Sequence, residues 1–114
     1  MSTYHTEEDL KIRWDDVVRQ LMPLAPEKII LFGSFARGQA SVYSDVDLFV
    51  VQHTQLPFLK RLDAALELLR LRMPVDVLVW TPAEVEEALR HHNAFIESVL
   101  DEGKVIYETP RREP

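Results

Sequence analysis

Three short apolar runs limit what this chain can fold into. They are KIILF at 28–32, DVDLFVV at 45–51 and VDVLVW at 75–80. Runs of this length, rich in valine and isoleucine and bounded by glycine, proline or polar residues, are typical of buried strands. We therefore predict three strands here and a shorter fourth strand, KVIY, at 104–107.

The segments between these strands have apolar residues at helical spacing. A first helix is predicted to follow the cap residue Thr6 and to end before Pro23, and a second to cover about 56–72. The leucines expected on the buried face of the second helix are Leu59, Leu62, Leu66 and Leu69. A third helix is predicted from a capping box at Thr81 to a cap at Gly103. This order indicates an α/β (α+β) domain with a small mixed sheet packed against helices.

Size and composition favour one domain over 1–114, with an ordered core at about 6–108. The chain has no cysteine, which excludes disulfides and thiolate metal sites. No apolar run approaches the roughly 20 residues of a membrane span, and the acidic start is unlike a signal peptide. We therefore expect a cytoplasmic protein. Its net charge of −6 disfavours direct binding to nucleic acid and favours a basic protein partner.

Three aspartates interrupt the strand runs. Asp45 and Asp47 are two residues apart at the head of the second strand, so their side chains share one face. Asp76 lies in the third strand, and it can join them if these two strands pair. Carboxylates gathered in this way suit Mg²⁺ or Mn²⁺, including the paired ions of phosphoryl-transfer sites.

A plainer interpretation of these acids is that Asp45 caps a turn while Asp47 and Asp76 face water from an exposed sheet face. The neighbouring turn GSFARG at 33–38 argues against it. Gly33 lets a phosphate approach the backbone, Ser34 adds a hydroxyl and Arg37 a charged fork.

The same turn matches the first half of a P-loop, a nucleotide-binding motif of a different family. A P-loop continues with lysine and then serine or threonine, but Gln39 and Ala40 occupy those places. We therefore reject a P-loop.

Taken together, Gly33–Gly38, Ser44–Leu48 (SDVDL) and Asp76 resemble the motifs of the polymerase-β-type nucleotidyltransferase superfamily. The closest resemblance is to the minimal nucleotidyltransferases, and especially to the antitoxin half of HEPN/MNT toxin–antitoxin pairs. This resemblance implies the nucleotidyltransferase fold and the transfer of AMP from ATP with release of pyrophosphate.

The resemblance also implies residue roles. Asp45 and Asp47 would hold the metal ions that bind the triphosphate, and Asp76 would bind the second metal and help to activate the attacking hydroxyl. The residues implied in nucleotide binding are Gly33, Ser34, Arg37 and Ser44.

For the acceptor, the resemblance implies a tyrosine of a HEPN ribonuclease toxin, with which a hetero-oligomer is expected. Relatives that act on aminoglycosides or nucleic acids carry a further domain, for which little sequence remains after the last helix. Two alternatives stay open: a non-catalytic antitoxin that acts by occlusion, and a stand-alone transferase for a small molecule such as an aminoglycoside. Trp80 is assigned to packing, and Arg61 to the solvated surface of its helix.

Overall fold

The structure is a computed structural model that describes residues 12–41 and 44–110. Its helices and strands, with a short 3₁₀ turn at Met22–Leu24 after the first helix, are α1 (Trp14–Leu21), β1 (Lys28–Phe32), β2 (Val46–Val51), α2 (Phe58–Leu68), β3 (Val75–Trp80), α3 (Pro82–Arg90), α4 (Ala94–Glu102) and β4 (Lys104–Glu108). Within this part of the chain, no helix is long and apolar enough to cross a bilayer.

The four strands form one sheet in the order β3-β2-β1-β4. β1 pairs antiparallel with both β2 and β4, whereas β2 and β3 pair in parallel. A parallel pair requires a crossover connection, and α2 provides it. The predicted small mixed sheet is therefore confirmed, and all four strands lie within a residue of their predicted positions.

Side chains of β2 alternate between two apolar layers. Val46, Leu48 and Val50 pack in the layer that includes residues of α1 and α2. Phe49 and Val51 pack in the layer that includes residues of α3 and α4. Because strand side chains alternate, Asp47 lies on the α3/α4 face of the sheet.

The first helix is shorter than predicted. Ile12 and Arg13 are not helical, and α1 begins at Trp14 with Asp15 and Asp16 in its first turn. These acids provide the negative charge that stabilises a helix N-terminus. The predicted cap at Thr6 lies outside the described residues.

The predicted buried face of the second helix is wrong in part, although Leu62 packs against the core as predicted. Leu59 is 69% exposed and Leu66 39% exposed, while Arg61 and Ala65 are buried. The true face is rotated by about one residue, or 100°, from the line of leucines. Leu69 is buried as predicted, but it lies just after the helix in extended conformation.

Arg61 is only 8% exposed, so its assignment to a solvated surface is also wrong. Its Nε donates a hydrogen bond to the carbonyl of Leu56 (2.7 Å) and its Nη1 to the carbonyl of Val79 (3.2 Å). Nη1 and Nη2 also donate to the two carboxylate oxygens of Glu84, at 2.7 and 3.3 Å. A buried guanidinium is tolerated because its donors are satisfied in this way.

Glu84 also completes the predicted capping box of α3. The Thr81 hydroxyl accepts from the Glu84 N–H, and the Glu84 carboxylate accepts from the Thr81 N–H. The hydrogen bond from Arg61, followed by the one from the Thr81 backbone, lowers the pKa of Glu84. One carboxylate therefore caps a helix and neutralises a buried cation.

The single helix predicted after Thr81 is two helices. The chain reverses locally at His92, which has a φ of 54°, and the Asn93 side chain then caps α4 by accepting from the N–H of Ile96. The break lets α4 turn Ile96 into the apolar layer beside Phe49. Gly103 ends α4 as predicted, with its N–H bonded to a carbonyl of the last turn.

We predict that Arg61→Leu destabilises the fold by about 2 kcal/mol, because the carbonyls of Leu56 and Val79 lose their donor and the Glu84 carboxylate loses its ion pair. Urea unfolding followed by circular dichroism measures this loss. Arg19→Leu is the matched control, since Arg19 forms an exposed ion pair with Asp16. It should change stability by less than about 0.5 kcal/mol. Equal losses for both variants would contradict the role given to Arg61.

Candidate active site

The parallel pairing of β2 with β3 brings two of the predicted acids together. In the register of this pair, Val46 lies opposite Val75 and Asp47 opposite Asp76. Neighbouring strands are about 4.8 Å apart, and side chains in register point to the same face. The two carboxylates therefore lie side by side on the α3/α4 face, as the strand-pairing argument requires.

Asp45 lies just outside the sheet. It directly precedes β2, whose first N–H, that of Val46, donates to the carbonyl of Pro74 before β3. Asp45 and Asp76 are exposed, whereas Asp47 is half-buried. Asp47 is thus the member of the trio with the lowest access to water.

The electrostatics connect all three acids. Burial raises the pKa of the Asp47 carboxyl above its usual value. The carboxylates of Asp76 and Asp45 raise this pKa further, while the Arg37 guanidinium lowers it in part. The ionised form of Asp47 is therefore disfavoured by burial and by the two other acids, and it is favoured in part by Arg37.

The carboxylates do not form a finished metal site. Among residues 12–41 and 44–110, no three or more histidine, aspartate or glutamate side chains are arranged closely enough to hold an ion. Three carboxylates repel one another, so mutual contact requires a cation between them. The structure thus gives neighbouring strand positions and a shared field, but not a completed set of ligands.

The glycine turn begins beside Asp47. Phe32, the last residue of β1, lies opposite Asp47, and Gly33 follows it with a φ of 73°. A Cβ atom at Gly33 would lie 2.2 Å from Oδ2 of Asp47. Glycine is required here both for the left-handed backbone and for the close approach of the carboxylate.

The turn is held by helix-like hydrogen bonds and one aromatic anchor. The N–H of Arg37 donates to the carbonyl of Gly33, and the N–H of Gln39 to that of Ser34. Phe35 is buried and packs edge-on against Trp14, with ring centroids 5.8 Å apart. This anchor leaves Arg37 exposed and close enough to influence Asp47.

Ser44 has a visible structural role. Its hydroxyl oxygen accepts a hydrogen bond from the N–H of Ser41 at 2.9 Å, and its own N–H donates to the carbonyl of Ser41. These bonds close the loop that leads to Asp45. The structure therefore brings Gly33, Arg37 and the three acids to one sheet edge, with Ser44 supporting the adjacent loop.

Sequence reasoning missed an apolar groove on the same face. The groove has a volume of about 870 Å³ and is lined by Phe58, Leu78, Trp80, Ala83, Ala88 and Phe95, with polar groups at its rim. Trp80 packs on Phe49 and Phe95, as its assignment to packing predicted, but it also forms a wall of the groove. The available signal was the alternation of β3, which places Leu78 and Trp80 on the face of Asp76.

Comparison with known proteins identifies the family of the chain. Residues 19–112 match the family described as polymerase beta, nucleotidyltransferase. The chain is 35% identical over 83 residues to "Putative protein adenylyltransferase MJ0604" of Methanocaldococcus jannaschii, an alignment that covers 71% of this chain and 78% of the relative.

Two crystal structures have the same fold. One is a "putative nucleotidyltransferase" from Sulfolobus solfataricus, with a TM-score of 0.58 and 20% identity over 87% of this chain and 79% of that one. The other is a toxin–antitoxin with AMP-PNP, with a TM-score of 0.56 and 22% identity over 86% of this chain and 75% of that one. The chain belongs to the polymerase-β nucleotidyltransferase family and is itself a nucleotidyltransferase.

Proposed function

We propose that this chain transfers AMP from ATP to a hydroxyl group of a partner protein, with a divalent metal held by Asp45, Asp47 and Asp76. The observation that carries the proposal is the register of β2 and β3, which sets Asp47 beside Asp76 at the strand edge where the glycine turn begins. An acid pair next to a glycine turn suits nucleotidyl transfer, because the acids can hold metal ions and the turn can offer backbone N–H groups to phosphates.

The residues fit a hard cation. All three side chains offer only oxygen, which suits Mg²⁺ or Mn²⁺. The pKa of Asp47 is raised by burial first and then by the negative charge of Asp76 and Asp45, which a cation would relieve. The absent side chain at Gly33 leaves room for the Asp47 carboxylate. When bound, the metal supplies charge neutralisation for the phosphates and for the attacking oxygen.

The chain's own residues would position the nucleotide. The backbone at Gly33 and the hydroxyl of Ser34 would bind the terminal phosphates, and Arg37 would add a charged donor from the exposed side of the turn. Ser44 would contact the nucleotide or, through its bond to Ser41, hold Asp45 in place. Asp76 would accept the proton of the attacking hydroxyl.

A protein acceptor is supported by two comparisons. The Methanocaldococcus jannaschii relative is named a protein adenylyltransferase, and one structural neighbour is a toxin–antitoxin crystallised with an ATP analogue. The proposed acceptor is therefore a tyrosine of a HEPN-type toxin, with ATP as the donor. Neutralisation by binding alone and transfer to a small hydroxylated molecule are the competing functions.

The test of transfer uses labelled ATP, Mg²⁺ and the purified co-encoded partner. Label should appear on the partner and fall below detection with Asp45→Asn/Asp47→Asn, because the metal loses its ligands. Neutralisation of the partner by the double variant without labelling would instead support occlusion. Labelling of an aminoglycoside but not of the partner would support the small-molecule function.

A second prediction concerns the effect of the Asp47 charge on the stability of the fold. The folded-state pKa of Asp47 is raised, so ionisation of this carboxyl destabilises the fold as pH rises through the interval above 3.8. Asp47→Asn should therefore raise Tm at pH 7 in EDTA, and the gain should fade as pH falls toward 3.8.

Metal binding can be measured on the same variants by differential scanning fluorimetry, as the change in Tm when Mg²⁺ is added. Mg²⁺ should raise Tm for the wild type and have less effect on Asp47→Asn, because an ion that binds only the folded state stabilises it more when it binds more tightly. Asp63→Asn, on the exposed side of α2, is the control and should behave as wild type. An unchanged response to Mg²⁺ in Asp47→Asn would contradict the metal assignment.

The two glycines of the turn offer a matched pair. Gly33 and Gly38 both have positive φ, at 73° and 70°, but a Cβ at Gly38 would meet nothing within 4 Å. Alanine at either position should destabilise by about 1–2 kcal/mol through backbone strain. Only Gly33→Ala should also displace Asp47 and lower kcat by about 100-fold, since small misplacements have effects of that size. Equal activity in the two variants would remove Gly33 from the site.

A further inference from the structure

The apolar groove begins where the acidic site ends. On β3, Asp76 is followed on the same face by Leu78 and then Trp80, at steps of roughly 7 Å. Leu78 and Trp80 form the floor of the groove, and Ala83 and Ala88 of α3 form one side. A molecule seated in the groove would therefore reach the candidate catalytic acids without crossing another element.

The groove walls are firm and aromatic. Trp80 packs against Phe49 with ring centroids 5.4 Å apart and against Phe95 at 6.3 Å. Phe95 also packs edge-on against Phe32, the strand neighbour of Asp47. Rings held in this way form a surface that loses little freedom when a partner binds, which favours recognition.

The apolar surface continues past the groove. Phe58, which lines the groove, is 46% exposed, and the neighbouring Leu56 and Leu59 are 45% and 69% exposed. These residues lie at and just before the first turn of α2, which otherwise packs on the opposite side of the sheet. A groove with further exposed apolar residues next to one of its lining residues in the chain favours a macromolecular partner over a lone nucleoside.

The helices beside the groove carry most of the net charge. Residues 82–102, which span α3 and α4, include six acids and one arginine, a net charge of −5 in a chain whose total is −6. Glu84 is paired with Arg61 of α2, and the other five acids are exposed. This field attracts a basic partner and repels a second copy of the same surface. An apolar groove in an acidic setting therefore selects a partner with apolar side chains between basic ones.

We propose that the groove and the acidic α3/α4 surface form the docking site for the acceptor protein. An aromatic or leucine side chain of the partner fills the groove, and flanking lysine or arginine residues lie along α3 and α4. This inference rests on the proposed function and extends it: the groove fixes which protein, and which hydroxyl of that protein, comes to the acids near Asp76.

The test separates docking from chemistry by measuring association without ATP or metal. The probe is the purified co-encoded partner, titrated into the full chain in EDTA by isothermal titration calorimetry. Ala83→Arg places a long side chain in the groove from an exposed position of α3 and should raise Kd by at least about tenfold. Glu86→Lys, an exposed acid of α3, should raise Kd and weaken its dependence on salt.

Matched controls lie away from the groove. Val105→Ser alters an exposed apolar residue of β4, at the opposite edge of the sheet, and Glu67→Lys reverses an exposed acid at the end of α2. Both should bind within about twofold of wild type. Circular dichroism of every variant verifies folding before binding is compared.

Each outcome has a defined meaning. The proposal fails if the partner does not bind, if Ala83→Arg binds as wild type, if adenosine displaces the partner from the groove, or if the chain alone forms a dimer that Ala83→Arg abolishes. Asp45→Asn/Asp47→Asn should bind as wild type. If groove-dependent binding persists but wild type transfers no label, the catalytic proposal fails while the docking proposal stands.

Discussion

The parallel pairing of β2 with β3 is the constraint on which the site depends. Asp47 and Asp76 are separated by a crossover helix in the chain, and only this register makes them neighbours. A slip of one residue would turn one of the two carboxylates to the opposite face, because strand side chains alternate with a period of two. The valines and leucines of both strands resist that slip, since it would expose the apolar layer under α1 and α2.

The rest of the fold compensates for the unfavourable free energy of the sheet edge that carries Asp47 and the glycine turn. Like charges raise the pKa of Asp47, and the adjacent turn needs two left-handed residues. Both are local conflicts with stability, of the type expected where a protein binds or reacts. The opposing contributions come from further along the same strands, where Ile30 and Phe49 are fully buried beneath α4.

Local patterns predicted the strands and the motif positions well, because strand alternation, glycine turns and capping boxes depend on short stretches of sequence. The face of α2 was not predictable in this way. Leucine at 59 and 66 suggested one stripe, but the helix turns Ala65 and the satisfied Arg61 inward. The break at His92 was also hidden, since it arises from packing α4 onto the sheet. The register of Asp47 with Asp76 depends on residues far apart, so spacing allowed it without requiring it.

Arg61 gives a physical reason why the groove has a defined shape. Its guanidinium bonds the carbonyl of Leu56 before α2, the carbonyl of Val79 in β3 and the carboxylate of Glu84 in α3. All three elements contribute to the groove walls, together with Phe95 of α4. An apolar side chain at position 61 could fill the space, but it would leave these acceptors without a donor and would not fix the three elements at set positions. The buried cation therefore contributes both to the stability of the fold and to a fixed surface next to the candidate active site.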